Sequence, residues 1–206
     1  AAAIVLAAPL SRLAAAPPAL SAAETSELLE REPTVNDADV DEHFSRLREF
    51  PVALAAQPLL PLQSGMRIKR FEILLRDASE AHNVAPVSLL RDADERGLGS
   101  VLDRRVAGAM FVWLAERSDV FAEELAQFSV NLSATSLADP NFLRFISLCI
   151  AKSGILPQLL AFEVDQSQWR SDRARVQRLA RALDGMGVGL VIDNCTLHED
   201  IIELLS

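Results

Sequence analysis

The chain has 206 residues, half of them hydrophobic, and a formal net charge of −9. That is enough for one large domain or two small ones with a sizeable core. The acidity argues against a broad basic nucleic-acid surface but leaves room for a small anionic ligand held by a few local arginines. Cys149 and Cys195 sit in apolar surroundings and imply no disulfide framework. No uncharged apolar run is long enough to span a membrane. The expectation is a cytoplasmic chain.

Residues 1–45 differ in texture from the rest. AAAIVLAAPLSRLAAA is apolar, lacks a basic flank and is interrupted by Arg12, so it reads as a helix of an upstream module rather than a signal peptide. The Ala/Pro-rich and then acidic stretch that follows reads as a linker or arm with few core contacts. Within it, Thr25 to Leu28 could start a short helix that Pro33 stops, and His43 reads as solvated.

From Phe50 onward, apolar runs of strand length alternate with helical patterns. Strands are predicted at 52–60 (VALAAQPLL), 69–76 (KRFEILLR), 127–133 (QFSVNLS), 159–165 (LLAFEVD) and 188–194 (VGLVIDN). Between them, PVSLLRDADERG fits a helix with Pro86 at its start, and SVLDRRVAGAMFVWLAERS carries a helical apolar stripe that includes Trp113. Asp139-Pro140 opens NFLRFISLCIAKSG, which Gly154 closes, and SDRARVQRLARALDGMG is amphipathic with Gly185 and Gly187 at its end. Strand alternating with helix predicts a mostly parallel sheet. GMGVG at 185–189 precedes a strand, which argues against a cofactor loop. His82 reads as surface. Trp169, in a polar context, is a candidate to cover a pocket or meet a partner, and the arginines of SDRARVQRLAR read as a solvated face or a docking face for an acidic partner.

Four strands carry an acidic or amide residue near their C-terminal end: Glu72, Asn131, Glu163 and Asp193. The intervals of 59, 32 and 30 residues correspond to two, one and one strand–helix units. Glu72 lies inside the apolar run FEILLR, where a buried charge needs compensation by a partner, a metal or a ligand. In a parallel barrel the C-terminal strand ends converge on one face. Four oxygen ligands meeting there would suit one Mg²⁺ or Mn²⁺ ion. The plainer alternative is a set of polar residues hydrogen-bonded to nearby loops.

FEILLR resembles the Glu-Ala-Leu-Leu-Arg signature of the EAL domain, a cyclic di-GMP phosphodiesterase fold. Further segments match in order: QPLLPLQSG (57–65), APVSLLRDADERGLGSVLD (85–103), FSVNLSATSLADPNFL (128–143), FEVDQSQ (162–168) and GLVIDNCTLH (189–198). The last two sit where the family has Glu-Ile-Thr-Glu-Ser and Asp-Asp-Phe-Gly-Thr-Gly. The resemblance implies an α/β, TIM-like barrel with an atypical first strand, covering about residue 48 to the chain end, or 46–206 as a unit. It implies that Glu72, Asn131, Glu163 and Asp193 hold the first metal, that Arg76 contacts the nucleotide, and that Gln57 and Leu74 line the guanine site.

Several positions depart from the family pattern. The second aspartate of the pair is Asn194, the second glutamate is Gln166, and the glycine-bearing loop is Cys195-Thr196-Leu197-His198. An amide is a poorer ligand for a hard cation and cannot act as a base. Cys195 and His198 are spaced like half of a zinc site, with no second pair to complete it. The family's later strands carry a lysine and another glutamate that these residues do not include, and five strands do not close an eight-stranded barrel. The expectation is therefore an incomplete barrel and a degenerate domain that binds cyclic di-GMP as a receptor, with a protein partner and little hydrolysis. An active metal-dependent phosphodiesterase and an interaction scaffold without nucleotide are the alternatives.

Overall fold

The structure, a computed structural model, describes residues 2–6 (by their backbone), 45, 47, 49–61, 68–79, 84–117, 121 and 126–195. Strands β1 (Ala2–Leu6), β2 (Val52–Leu59), β3 (Lys69–Asp77), β4 (Ala126–Asn131), β5 (Leu160–Asp165) and β6 (Gly189–Cys195) form one sheet in the order β1-β6-β5-β4-β3-β2. β3, β4, β5 and β6 run parallel, while β2 pairs antiparallel with β3 and β1 antiparallel with β6.

The crossovers are helical. Helices α1 (Val87–Glu95) and α2 (Gly99–Ala115) lead from β3 to β4, and α3 (Ala134–Ala138) and α4 (Pro140–Ser153) lead from β4 to β5. Helices α5 (Gln166–Ser171) and α6 (Arg173–Met186) complete the last crossover. Helix α4 has the ends its letters announce. The Asp139 side chain accepts the Asn141 N–H, Pro140 stands at the first helical position, and Gly154 closes the helix at φ 70°. Gly187, at φ 78°, does the same for α6.

One face of the sheet is apolar and carries the helices. Phe71 stacks on Phe128 at 5.3 Å, Phe128 meets the edge of Trp113 of α2 at 5.4 Å, and Phe162 meets Phe142 of α4 at 5.8 Å. Phe128, Phe142, Phe162, Met110, Leu114, Ile146, Leu183 and Ile192 are all fully buried there. Side chains alternate across a strand, so Glu72, Ser129, Asn131 and Glu163 fall on the opposite face. Small residues make room at its lower end: a Cβ on Gly189 would lie 3.1 Å from Gln127 Nε2 and 3.2 Å from Ala161 Cβ.

Residues 2–6 differ from the helix expected for the N-terminal stretch. Ile4, Val5 and Leu6 pair with Ile192, Val191 and Leu190. β-Branched residues favour extended backbone, and the free edge of β6 offers a row of unpaired N–H and C=O groups. The remainder of the acidic arm, with His43 and the Thr25–Leu28 start, lies outside the described residues, as do His82 and His198. Among the described residues no helix is long and apolar enough to cross a membrane.

Candidate functional site

The polar face gathers the predicted residues from five strands, β2 to β6. Gln57 lies directly opposite Glu72 in the β2–β3 ladder, and Glu72, Leu74 and Arg76 follow one another on one face of β3. Asn131 and Glu163 are cross-strand partners between β4 and β5, and Asp165 and Asp193 are partners between β5 and β6. The carboxylate inside FEILLR is compensated by a side chain from the next strand: Asn131 Nδ2 donates to Glu72 Oε1 at 2.7 Å. Gln57 is exposed, and Arg76 is half-buried with Nη1 donating to the carbonyl of its neighbour Leu75 at 2.8 Å.

Glu163 is the most enclosed of the set, 2 % exposed, and its Oε1 has no hydrogen-bond partner among the described residues. Burial pushes its pKa up to about 7, the Ser129 hydroxyl pulls it back, and the charges of Glu72 and Asp193 push it further. A carboxylate in that position seeks a proton or a cation. Among the described residues, no three Asp, Glu, His or Cys side chains stand close enough together to hold an ion by themselves. The oxygen donors meet as pairs, with Glu163 in electrostatic reach of Glu72 and Asp193.

Apart from Asn194, the rim at the strand ends is built from residues to which the sequence reading assigns no role. Asp165 caps α5: its Oδ1 accepts the Ser167 N–H at 2.7 Å, and its Oδ2 accepts from Asn194 Nδ2 at 2.8 Å. The Ser167 hydroxyl foremost, then the Asn194 amide and the Ser167 N–H, hold the Asp165 carboxyl below its ordinary pKa against the opposing effect of burial. Asn194 has φ 53°, a left-handed conformation that Asn tolerates better than most residues. Asp103 of α2 accepts from Ser133 N, Ser133 Oγ and Ser136 Oγ, each at 2.7 Å, and so anchors the loop that follows Asn131. Gly99 permits this approach, since a Cβ there would lie 2.5 Å from Ser133 Oγ.

Burial raises the Asp103 pKa to about 6 against those hydrogen bonds, so its ionisation costs stability as pH rises through that value. Removing the acceptor costs more, because it strands an N–H and two hydroxyls. Asp103→Ala is expected to lose about 2 kcal/mol in urea denaturation at pH 7, with Asp103→Asn losing less.

Trp169 is not the exposed cover or partner residue that its polar neighbours suggest. It is 6 % exposed, with the Arg173 guanidinium 5.1 Å over its ring. The short helix α5 turns Trp169 inward and Arg170 outward. Trp113 packs as expected, against Phe121 and Phe128. Gln166 is buried at the start of α5. Cys149 and Cys195 are both buried thiols, and Cys195 Sγ donates to the Ile192 carbonyl at 3.3 Å. Its zinc partner in the sequence reading, His198, lies outside the described residues.

A sheet of four parallel strands with antiparallel β2 and β1 at its two edges, helices on one face and acidic side chains on the other, has the make-up of an EAL-type domain. The family model for the EAL domain matches residues 37–206, and the chain belongs to that family. Its fold is the TIM-like barrel of EAL domains, of which the described strands form an open part. Cyclic di-GMP phosphodiesterase PdeF of Escherichia coli is 32% identical over 143 residues, covering 68% of this chain and 18% of that protein. Cyclic di-GMP phosphodiesterase PdeB of Shewanella oneidensis is 25% identical over 149 residues, covering 72% of this chain and 17% of the relative. The chain thus spans less than a fifth of the length of these curated relatives. Among solved structures, the FimX EAL domain of Pseudomonas aeruginosa bound to cyclic di-GMP superposes with a TM-score of 0.65 at 24% identity, covering 82% of this chain and 65% of that one.

Proposed function

We propose that this chain is a degenerate EAL-like signalling domain that binds cyclic di-GMP as a receptor and hydrolyses it little or not at all. The observation that carries the reading is the Asn194–Asp165 bond. Where the resembled motif has a second aspartate, this chain turns an N–H donor toward a neighbouring carboxylate. An amide so engaged supplies neither charge for a second cation nor a base for water.

The ligand set is the one that the family resemblance implies, and the shared face supports it. Gln57 and Leu74 line the guanine site, and Arg76 contacts the nucleotide's phosphate or base. Glu72, Asn131, Glu163 and Asp193 hold one Mg²⁺ or Mn²⁺ ion. The donor chemistry suits such an ion: all four offer oxygen, and the buried Oε1 of Glu163, which accepts no hydrogen bond among the described residues, is able to ligate, while the three carboxylates, which form no cluster as they stand, would have to draw together around it. When bound, the ion neutralises the carboxylates and polarises a phosphoryl oxygen. We read residues 46–206 as the EAL-like unit and 1–45 as an arm whose strand β1 reaches β6. A protein partner reads the liganded state, and the domain works in the cytoplasm.

The names of PdeF and PdeB favour a second reading, an active phosphodiesterase. Incubation with cyclic di-GMP and Mn²⁺, followed by chromatography for the linear dinucleotide, separates the two. Intact cyclic nucleotide after hours is expected. Rapid turnover abolished by Glu72→Ala would replace the receptor with the enzyme.

A further inference from the structure

We propose that Gln168 is a positioning residue that ties the ends of β4 and β5 together and thereby sets the two amide side chains of the mouth, Asn131 and Asn194; its effect on a ligand rests on the function proposed above.

A carboxamide has one accepting and one donating side, and Gln168 uses both across two strands. Its Oε1 accepts the backbone N–H of Asp165 at the end of β5, at 2.8 Å. Its Nε2 donates to the carbonyl of Leu132, just past the end of β4, at 3.1 Å. Leu132 is the residue after Asn131, and its own N–H donates to the Glu163 carbonyl at 2.8 Å. Both backbone groups of Leu132 are therefore held, which fixes the two peptides that follow Asn131, the residue that reaches Glu72. On the other side, the residue whose N–H Gln168 receives is the one whose carboxylate grips Asn194. One side chain is thus a single link from both amides.

Helix capping alone does not account for this residue type. Asp165 and Gln168 form a capping box at the start of α5. That motif needs only an acceptor at its third position, which Glu supplies as well as Gln. Only Gln also supplies the donor that reaches Leu132.

Gln168→Glu in the full chain separates the two roles. It keeps the acceptor for the Asp165 N–H, adds a charge favoured at a helix start, and removes the donor to Leu132. The melting temperature is expected to stay within about 2 °C of wild type. The side-chain amide resonances of Asn131 and Asn194 should move in ¹⁵N-edited NMR spectra, although the substituted side chain touches neither. Affinity for cyclic di-GMP in the presence of Mn²⁺ should fall about tenfold. Gln168→Ala, which loses both bonds, should move the same resonances and lower the melting temperature as well. Unmoved Asn131 and Asn194 resonances in a folded Gln168→Glu protein would overturn the proposal. The NMR readout needs no nucleotide. A wild-type protein that binds none therefore refutes the receptor reading, while the resonances still decide the role of Gln168.

Discussion

Glu163→Gln is expected to stabilise the metal-free protein at pH 8 by about 3 kcal/mol and to leave it unchanged at pH 4. The carboxyl has a pKa of about 7 in the fold against an ordinary 4.5, mainly because burial disfavours its charged form. The folded chain therefore holds this proton more tightly than the unfolded one. The stability so conferred is complete below pH 4.5 and is lost as the pH climbs through 7. At pH 8 the wild type carries an ionised, buried carboxylate, its Oε1 without a hydrogen-bond partner among the described residues, that the glutamine variant does not. Urea midpoints of the two proteins in EDTA, at pH 4 and pH 8, measure the difference. Parallel pH profiles would mean that Glu163 is solvated or already paired. Saturating Mn²⁺ should narrow the gap at pH 8, since a cation bound only by the folded wild type adds its own binding energy.

Arg76→Ala is expected to weaken cyclic di-GMP binding by about 10- to 100-fold, the loss of one charge-assisted contact. Stability should change by less than about 1 kcal/mol, because the hydrogen bond that Arg76 makes among the described residues is to the carbonyl next to it. Among the described residues the remaining donors of the guanidinium are unengaged, on the same face of β3 as Glu72 and Leu74. Arg76→Lys keeps the charge but not the planar fork and should fall between the two. Calorimetric titration of the three proteins checks the order. Equal affinities would remove Arg76 from the ligand set.

The strands were legible where an apolar run ended in turn residues. The runs at 69–76 and 159–165 lie within a residue of β3 and β5 at each end. Helix α4 was legible to its caps, because Asp139, Pro140 and Gly154 each carry a backbone preference of their own. The strand of residues 2–6 was not, since a short Ala-rich apolar run suits a helix as well as a sheet and only the edge of β6 decides. The inward turn of Trp169 was hidden because its sequence neighbours face outward.

At the site, the four oxygen-bearing strand residues could be named from their letters and spacing, but Glu72 falls mid-strand in β3 rather than near its C-terminal end, and the groups that hold the set could not be named. Asp103 meets Ser133 and Ser136 from thirty or more residues away. The letters Asp165 and Gln168 carry a capping-box signature, yet the bond from Gln168 to Leu132 exists only through the pairing of β4 with β5. Such contacts depend on tertiary placement, which no local pattern encodes.

Isothermal titration of cyclic di-GMP into the full chain, with and without Mn²⁺ and with the nucleotide recovered afterwards, tests the account most directly. Saturable heat that grows with Mn²⁺, and recovery of the cyclic form unchanged, is the predicted result. Absence of heat at tens of micromolar protein in both conditions, or recovery of the linear dinucleotide, would contradict it.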